Sequence, residues 1–182
     1  MDHVLDTMTS RDWPQVRAIY LEGIATGQAT FETEAPAWEQ WDTSHLPFGR
    51  LVASRGDLLL GWAALSPVSR RKCYAGVAEV SVYVGADHRG AGVGRALLEA
   101  LVALSEQHGL WTLQGATFAD NTSSLRLQAT CGFRVIGQRE RIGQLNGVWK
   151  NTVLTERRSA IVGADTSSPL PPYSGGRGVR GE

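Results

Sequence analysis

The sequence predicts an α/β fold in three layers, one mixed central β-sheet flanked by helices, in a single domain. Three observations carry that expectation. A strictly alternating strand, Ala78 to Val84, runs into a glycine-rich loop at residues 88–95, and an amphipathic helix follows directly. Strand and helix patterns then keep alternating to about Thr155. The 182 residues, 42% hydrophobic and 20% charged, suffice for one well-buried core and are short for two.

Val4 to Met8 reads as a short strand. Thr9-Ser10 offers N-cap chemistry, Pro14 suits the first turn of a helix, and Val16, Ile19, Tyr20 and Ile24 give that helix an apolar stripe ending near Gly27. A second helical piece follows Pro36. Leu51 to Ala53 and Leu58 to Leu65 read as a hairpin turned through Arg55-Gly56-Asp57. Ser66 to Gly76 is a polar, basic connection. In the next strand Val80, Val82 and Val84 face one way, and Glu79, Ser81 and Tyr83 the other. Val93, Leu97, Leu101 and Leu104 recur at helical spacing until Gly109. Thr112 to Phe118 is a strand, Asn121 to Thr130 a short helix, and Phe133 to Arg139 and Val148 to Thr155 are the last strands. Residues 1–158 form the expected domain. Residues 159–182 turn to Ser, Pro, Gly and Arg, cannot bury enough surface to fold alone, and are expected to be disordered.

Composition excludes several classes. Lys plus Arg (18) equals Asp plus Glu (18), so no basic excess points to nucleic acid. No apolar run reaches the length of a membrane helix, and Met1-Asp2-His3 does not open a signal peptide, so a cytoplasmic protein is expected. Cys73 and Cys131 have neither metal-ligand nor redox spacing, and His3, His45, His88 and His108 lack partners at metal spacing, so no metal is expected.

Residues 88–95, His-Arg-Gly-Ala-Gly-Val-Gly-Arg, carry the chemistry. Gly90, Gly92 and Gly94 let the backbone turn tightly with its N–H groups uncovered, at the positive end of the following helix. Arg89 and Arg95 add mobile charge, which makes a site for a phosphate or pyrophosphate. The spacing matches neither the dinucleotide fingerprint nor the P-loop, since no Lys-Ser/Thr follows the last glycine.

Read as Arg-x-x-Gly-x-Gly, the loop resembles the pyrophosphate loop of GNAT-superfamily N-acetyltransferases, and Asn121-x-x-Ser124-x-x-Leu127 before Gly132-Phe133 resembles their second signature. The resemblance implies a GNAT-type fold that binds acetyl-coenzyme A. Its pyrophosphate would meet Arg89, Gly90, Ala91, Gly92, Val93, Gly94 and Arg95. Its pantetheine amides would meet the backbone of Val82 and Val84, with the Val82 N–H facing the thioester oxygen. Asn121 and Ser124 would lie along the same arm, and Glu79 would be the general base, acting through water. The residue that aligns with the family's general acid is Gln128, whose amide cannot deliver a proton, and Tyr83 is the nearest substitute.

Further segments resemble phosphinothricin N-acetyltransferases and their relatives that acetylate methionine sulfoximine and sulfone. They are Ile19-Tyr20 through Thr33, Ser66-Pro67 through Tyr74, Glu79-x-Ser81-Val82-Tyr83-Val84, and Gly147-x-Trp149. This implies a small amino-acid-like acceptor, with Arg71 gripping its carboxylate or phosphinate, Tyr74 adding a hydroxyl and Phe31 an apolar wall. It also implies a homodimer, with Arg141 to Trp149 contributing to the partner's site. Asn151 departs from the family's common aspartate. Another small amine as acceptor, or a non-catalytic acyl-coenzyme A sensor, are the alternatives.

Overall fold

The computed structural model describes residues 3–164, so most of the expected tail lies outside the described residues. Seven strands form one sheet in the order β1 (Val4–Thr7), β2 (Arg50–Arg55), β3 (Leu58–Pro67), β4 (Val77–Val84), β5 (Thr112–Phe118), β7 (Val148–Arg158) and β6 (Arg134–Leu145). All neighbours are antiparallel except β4 and β5, which run parallel.

Side-chain alternation gives the sheet two buried faces. Ala63 and Leu65 of β3 and Val80 of β4 pack against Leu97, Leu98 and Leu101 of helix α3 (Val93–Gln107). Trp62 and Ala64, one register position away, pack against α1 (Trp13–Ala25) and α2 (Trp38–Ser44) through Val16, Ile19, Tyr20 and Trp41. Buried on both faces, β3 reads as an apolar run instead of an alternating one. The last helix, α4 (Thr122–Thr130), follows β5. No helix among the described residues is long and apolar enough to cross a membrane.

Element boundaries moved in three places. A 3-10 turn, Ser10–Asp12, precedes α1, and the Asp12 carboxylate accepts bonds from the Thr9 N–H (2.7 Å) and hydroxyl (2.9 Å). Strand β6 runs well beyond the expected Arg139, because Asn146-Gly147, both at positive φ (49° and 79°), closes it with β7 into a long hairpin. Strand β7 runs past the expected Thr155 to Arg158, where it pairs with Thr112 to Gln114 of β5. The strand past Arg139 is mostly exposed and polar, so it carries no hydrophobic period to read. Finally, the chain just past Arg158 is tied back: the Ser159 N–H donates to the Trp111 carbonyl (2.9 Å), and the Arg158 guanidinium binds the Val162 carbonyl (2.7 Å).

Candidate active site

The parallel pair β4–β5 stays together only over Val77 to Glu79, which face Thr112 to Gln114. Both strands continue, β4 to Val84 and β5 to Phe118, but apart from each other. The sheet therefore forks, and Glu79 and Gln114 form the last rung before the fork. The opening is a cleft of about 900 Å³. Gly85 donates its N–H to Leu60 on β3, and the β3–β4 register is unbroken. Backbone direction alternates along a strand, so the peptide groups of Val82 and Val84 point away from β3 and into the cleft.

The glycine loop forms the mouth of that cleft. Gly92 caps α3 at φ +84°, and Gly90 takes φ +75°, both in the left-handed region that an L side chain resists. The first intrahelical bond is Ala96 N–H to Gly92 carbonyl (3.0 Å), which leaves the preceding N–H groups free. Gly94 serves packing: a Cβ there would sit 3.3 Å from both Leu127 and Val84. Arg89 donates through Nε to the Val84 carbonyl (3.2 Å), and Arg95 pairs with Glu99 (2.8 Å), so both guanidinium groups border the loop. Arg89, Gly90, Gly92, Gly94 and Arg95 line the cleft. Ala91 does not, and Val93 turns its side chain into the core.

At the other end, burial pushes the Glu79 carboxyl above its ordinary value, while a hydrogen bond from Gln114 and the charge of Arg139 act in the opposite direction. Arg139 lines the cleft and donates through Nε to Thr152 Oγ1 (3.2 Å). Phe31 meets Phe118 edge-on at 4.6 Å and supplies an apolar wall beside them. A carboxylate nearer neutrality than usual therefore stands at the apex of a cleft whose mouth presents backbone donors and arginines.

The acetyltransferase (GNAT) family model matches residues 8–133. The chain belongs to the GNAT acetyltransferase family. It is 37% identical over 167 residues to a phosphinothricin N-acetyltransferase of Alcaligenes faecalis, covering 87% of this chain and 82% of that protein. It is 33% identical over 147 residues to an L-methionine sulfoximine/L-methionine sulfone acetyltransferase of Pseudomonas aeruginosa, covering 76% and 84%. Among solved structures, a GNAT-superfamily phosphinothricin acetyltransferase from Sinorhizobium meliloti in complex with acetyl-coenzyme A superposes with a TM-score of 0.82 at 25% identity, covering 95% of each chain.

Other site residues of this GNAT acetyltransferase fall unevenly. Asn121 caps α4 by accepting from Ser124 N–H (3.1 Å), and its amide donates to the Gln28 carbonyl (3.0 Å), tying α4 to the chain after α1 across the cleft. Both Asn121 and Ser124 line it. Arg71 and Tyr74 do not: they stand exposed on the connection before β4, with the Arg71 guanidinium 5.7 Å from the Tyr74 ring centre. Tyr83 borders the cleft, but burial pushes its hydroxyl far above the ordinary value, so it holds its proton. Gln128 is 6% exposed and fully engaged by Thr117 and Thr155. Gln114, Arg126 and Arg139 are cleft or apex residues that the sequence did not mark. Gln114 needed the β4–β5 register, and Arg139 sits in an unbroken polar run.

Proposed function

We propose that this GNAT acetyltransferase uses acetyl-coenzyme A to acetylate the α-amino group of a small amino acid analogue of the phosphinothricin, methionine sulfoximine or methionine sulfone type. The observation that carries this reading is the forked sheet, with Glu79 at its apex and the Gly92-capped helix at its mouth. The donor's chemistry fits the cleft from end to end. A pyrophosphate suits the open N–H groups of the loop and the flanking Arg89 and Arg95. Two pantetheine amides suit the peptide groups of Val82 and Val84. Similarity to phosphinothricin and methionine sulfoximine acetyltransferases supports the acceptor class.

In the proposed reaction Glu79 draws a proton from the acceptor ammonium through water. Its raised pKa makes it a better base than an ordinary carboxylate. The freed amine attacks the thioester carbon, and the Val82 N–H stabilises the developing oxyanion. The nitrogen gives up a second proton to water, the C–S bond breaks, and coenzyme A leaves as a thiolate. Gln128 has no proton to give and Tyr83 holds its own, so solvent protonates the thiolate. Transfer is direct within a ternary complex. Cys73 and Cys131 lie outside the cleft, and burial raises the Cys131 thiol, so neither cysteine serves as acyl carrier.

Arg71 and Tyr74 hold the acceptor's tetrahedral head in this reading, and two chains pair as a homodimer. The β6–β7 hairpin leaves Val135 exposed (65%) at its open end and Val148 and Trp149 (61% and 53%) beside its turn, apolar side chains that a second copy could cover. Thiol release from acetyl-coenzyme A with phosphinothricin, methionine sulfoximine, methionine sulfone and ordinary amino acids tests the reading. Turnover of the first three well above background supports it; acetyl-coenzyme A binding with no turnover on any of them overturns the acceptor assignment.

A further inference from the structure

The geometry points to Arg139 as the residue that binds the acceptor's carboxylate, which makes the α-amino acid, not a simple amine, the substrate of the Glu79 end of the cleft. This inference rests on the function proposed above. The cleft holds four arginines. Arg89 and Arg95 border the glycine loop, and Arg126 stands on α4. Arg139 belongs to the opposite end, on β6 opposite Thr152, where its charge reaches Glu79.

The backbone around Arg139 is shaped for this placement. Residues 139 and 142 would fall on opposite faces of a regular strand. The β6–β7 register breaks between Arg139 and Gly143, and both Arg139 and Ile142 line the cleft. Arg141 supplies the detour at φ +47°, and its N–H donates to Asn151 Oδ1 (2.8 Å). Gly143 lets Phe31 close in, since a Cβ there would lie 2.9 Å from the Phe31 ring.

The guanidinium so placed is largely unspent. Its Nε–H reaches Thr152 Oγ1, a neutral acceptor, and among the described residues it forms no ion pair and its terminal nitrogens have no hydrogen-bond partner. An α-amino acid carries its ammonium and carboxylate on one carbon, so its two charges match a carboxylate and a guanidinium facing the same cleft end. Glu79 takes the amine, Arg139 the carboxylate, and Phe31, Phe118 and Ile142 the short side chain. Arg71, lying outside the cleft, is left to the distal head.

The test compares methionine sulfone with its decarboxylated counterpart, 3-(methylsulfonyl)propylamine, in the full chain, its Arg139→Gln variant and its Arg71→Gln variant. Arg139→Gln is expected to raise KM for methionine sulfone about 10- to 100-fold, the loss of one charge-assisted anchor, and to leave KM for the amine within about 2-fold. Acetyl-coenzyme A affinity, measured by titration, stays unchanged and reports that the variant is folded. An equal rise for both acceptors, or a carboxylate-specific loss in Arg71→Gln instead, overturns the inference and leaves the proposed function standing. Absence of turnover on methionine sulfone, methionine sulfoximine and phosphinothricin in the unaltered chain overturns the function itself, and the inference with it.

Discussion

Thr155 Oγ1 donates to Gln128 Oε1 at 2.5 Å in the interior, while the Gln128 amide donates to Thr117 Oγ1 at 2.9 Å. Gln128 therefore joins α4 to β5 and β7 at the position where an acid for the departing thiolate was to be sought. Space is tight as well: a Cβ at Gly115 would lie 2.9 Å from the same Oε1. Gln128→Leu strands the buried Thr117 hydroxyl, leaves Thr155 only its long bond to the Gly115 carbonyl (3.5 Å), and is expected to lower stability by about 1–3 kcal/mol. Turnover per folded molecule should stay close to that of the unaltered chain. Denaturant unfolding and kcat below the transition check both halves; a collapse of kcat at unchanged stability would give Gln128 a chemical role instead.

The glycine loop, the alternating strand before it and Asn121 were legible in the sequence because each is a local pattern with a local cause: positive φ, a period of two, an N-cap. Glu79 was legible only through resemblance, since one glutamate on an alternating strand looks like any solvated side chain. Gln114 was not legible at all. It matters because a parallel pairing ends at its rung, and register between distant strands leaves no mark in either one. Arg139 was hidden for a related reason: a bulge, not a period, brings it to the cleft. Arg71 and Tyr74 show the converse. The motif that singled them out is intact, yet the fold of one chain leaves them outside the cleft.

Glu79→Gln keeps the shape of the apex and removes its capacity to accept a proton. Turnover is expected to fall by roughly 10²- to 10⁴-fold, the usual worth of a positioned general base. The acetyl-coenzyme A Kd should be unchanged, because the contacts proposed for the donor lie along Val82, Val84 and the loop. Titration calorimetry alongside steady-state kinetics separates the two. Equal losses in affinity and turnover would remove Glu79 from the base role.

The Glu79 carboxylate must be ionised to act, so kcat/KM should fall as pH drops through its pKa. Burial holds that value above the ordinary carboxylate range, and the acid limb should lie there too. Gln114 stabilises the charged form by donating to it. Gln114→Leu removes the donor, so its acid limb should move to higher pH than in the unaltered chain. A limb that moves down, or does not move, would show that Gln114 does not bond the working carboxylate.

Gly92 and Gly56 both take positive φ, at +84° and +57°, but only Gly92 starts α3 beneath the cleft. Alanine at either position is expected to cost about 1 kcal/mol in backbone strain. Gly92→Ala should also raise KM for acetyl-coenzyme A, since relaxing the strain swings the free N–H groups away from the pyrophosphate. Gly56→Ala, in the β2–β3 turn, should leave that KM untouched. A matched rise in both variants would mean that the effect comes from lost stability alone.

The Asn151 side-chain oxygen accepts the Arg141 N–H (2.8 Å) and so holds the β6 bulge, at the position where the resemblance to the family implies an aspartate. Either residue type offers an oxygen in that place, so Asn151→Asp should keep both stability and kinetics. Asn151→Ala leaves the Arg141 N–H without its partner and frees the bulge, at a cost of about 1 kcal/mol in stability. Because the bulge brings both Arg139 and Ile142 to the cleft, KM for the amino acid acceptor should rise in Asn151→Ala while KM for acetyl-coenzyme A stays constant. Steady-state kinetics with each substrate varied in turn checks this. An unchanged acceptor KM in a measurably destabilised Asn151→Ala would uncouple the bulge from the acceptor end of the cleft.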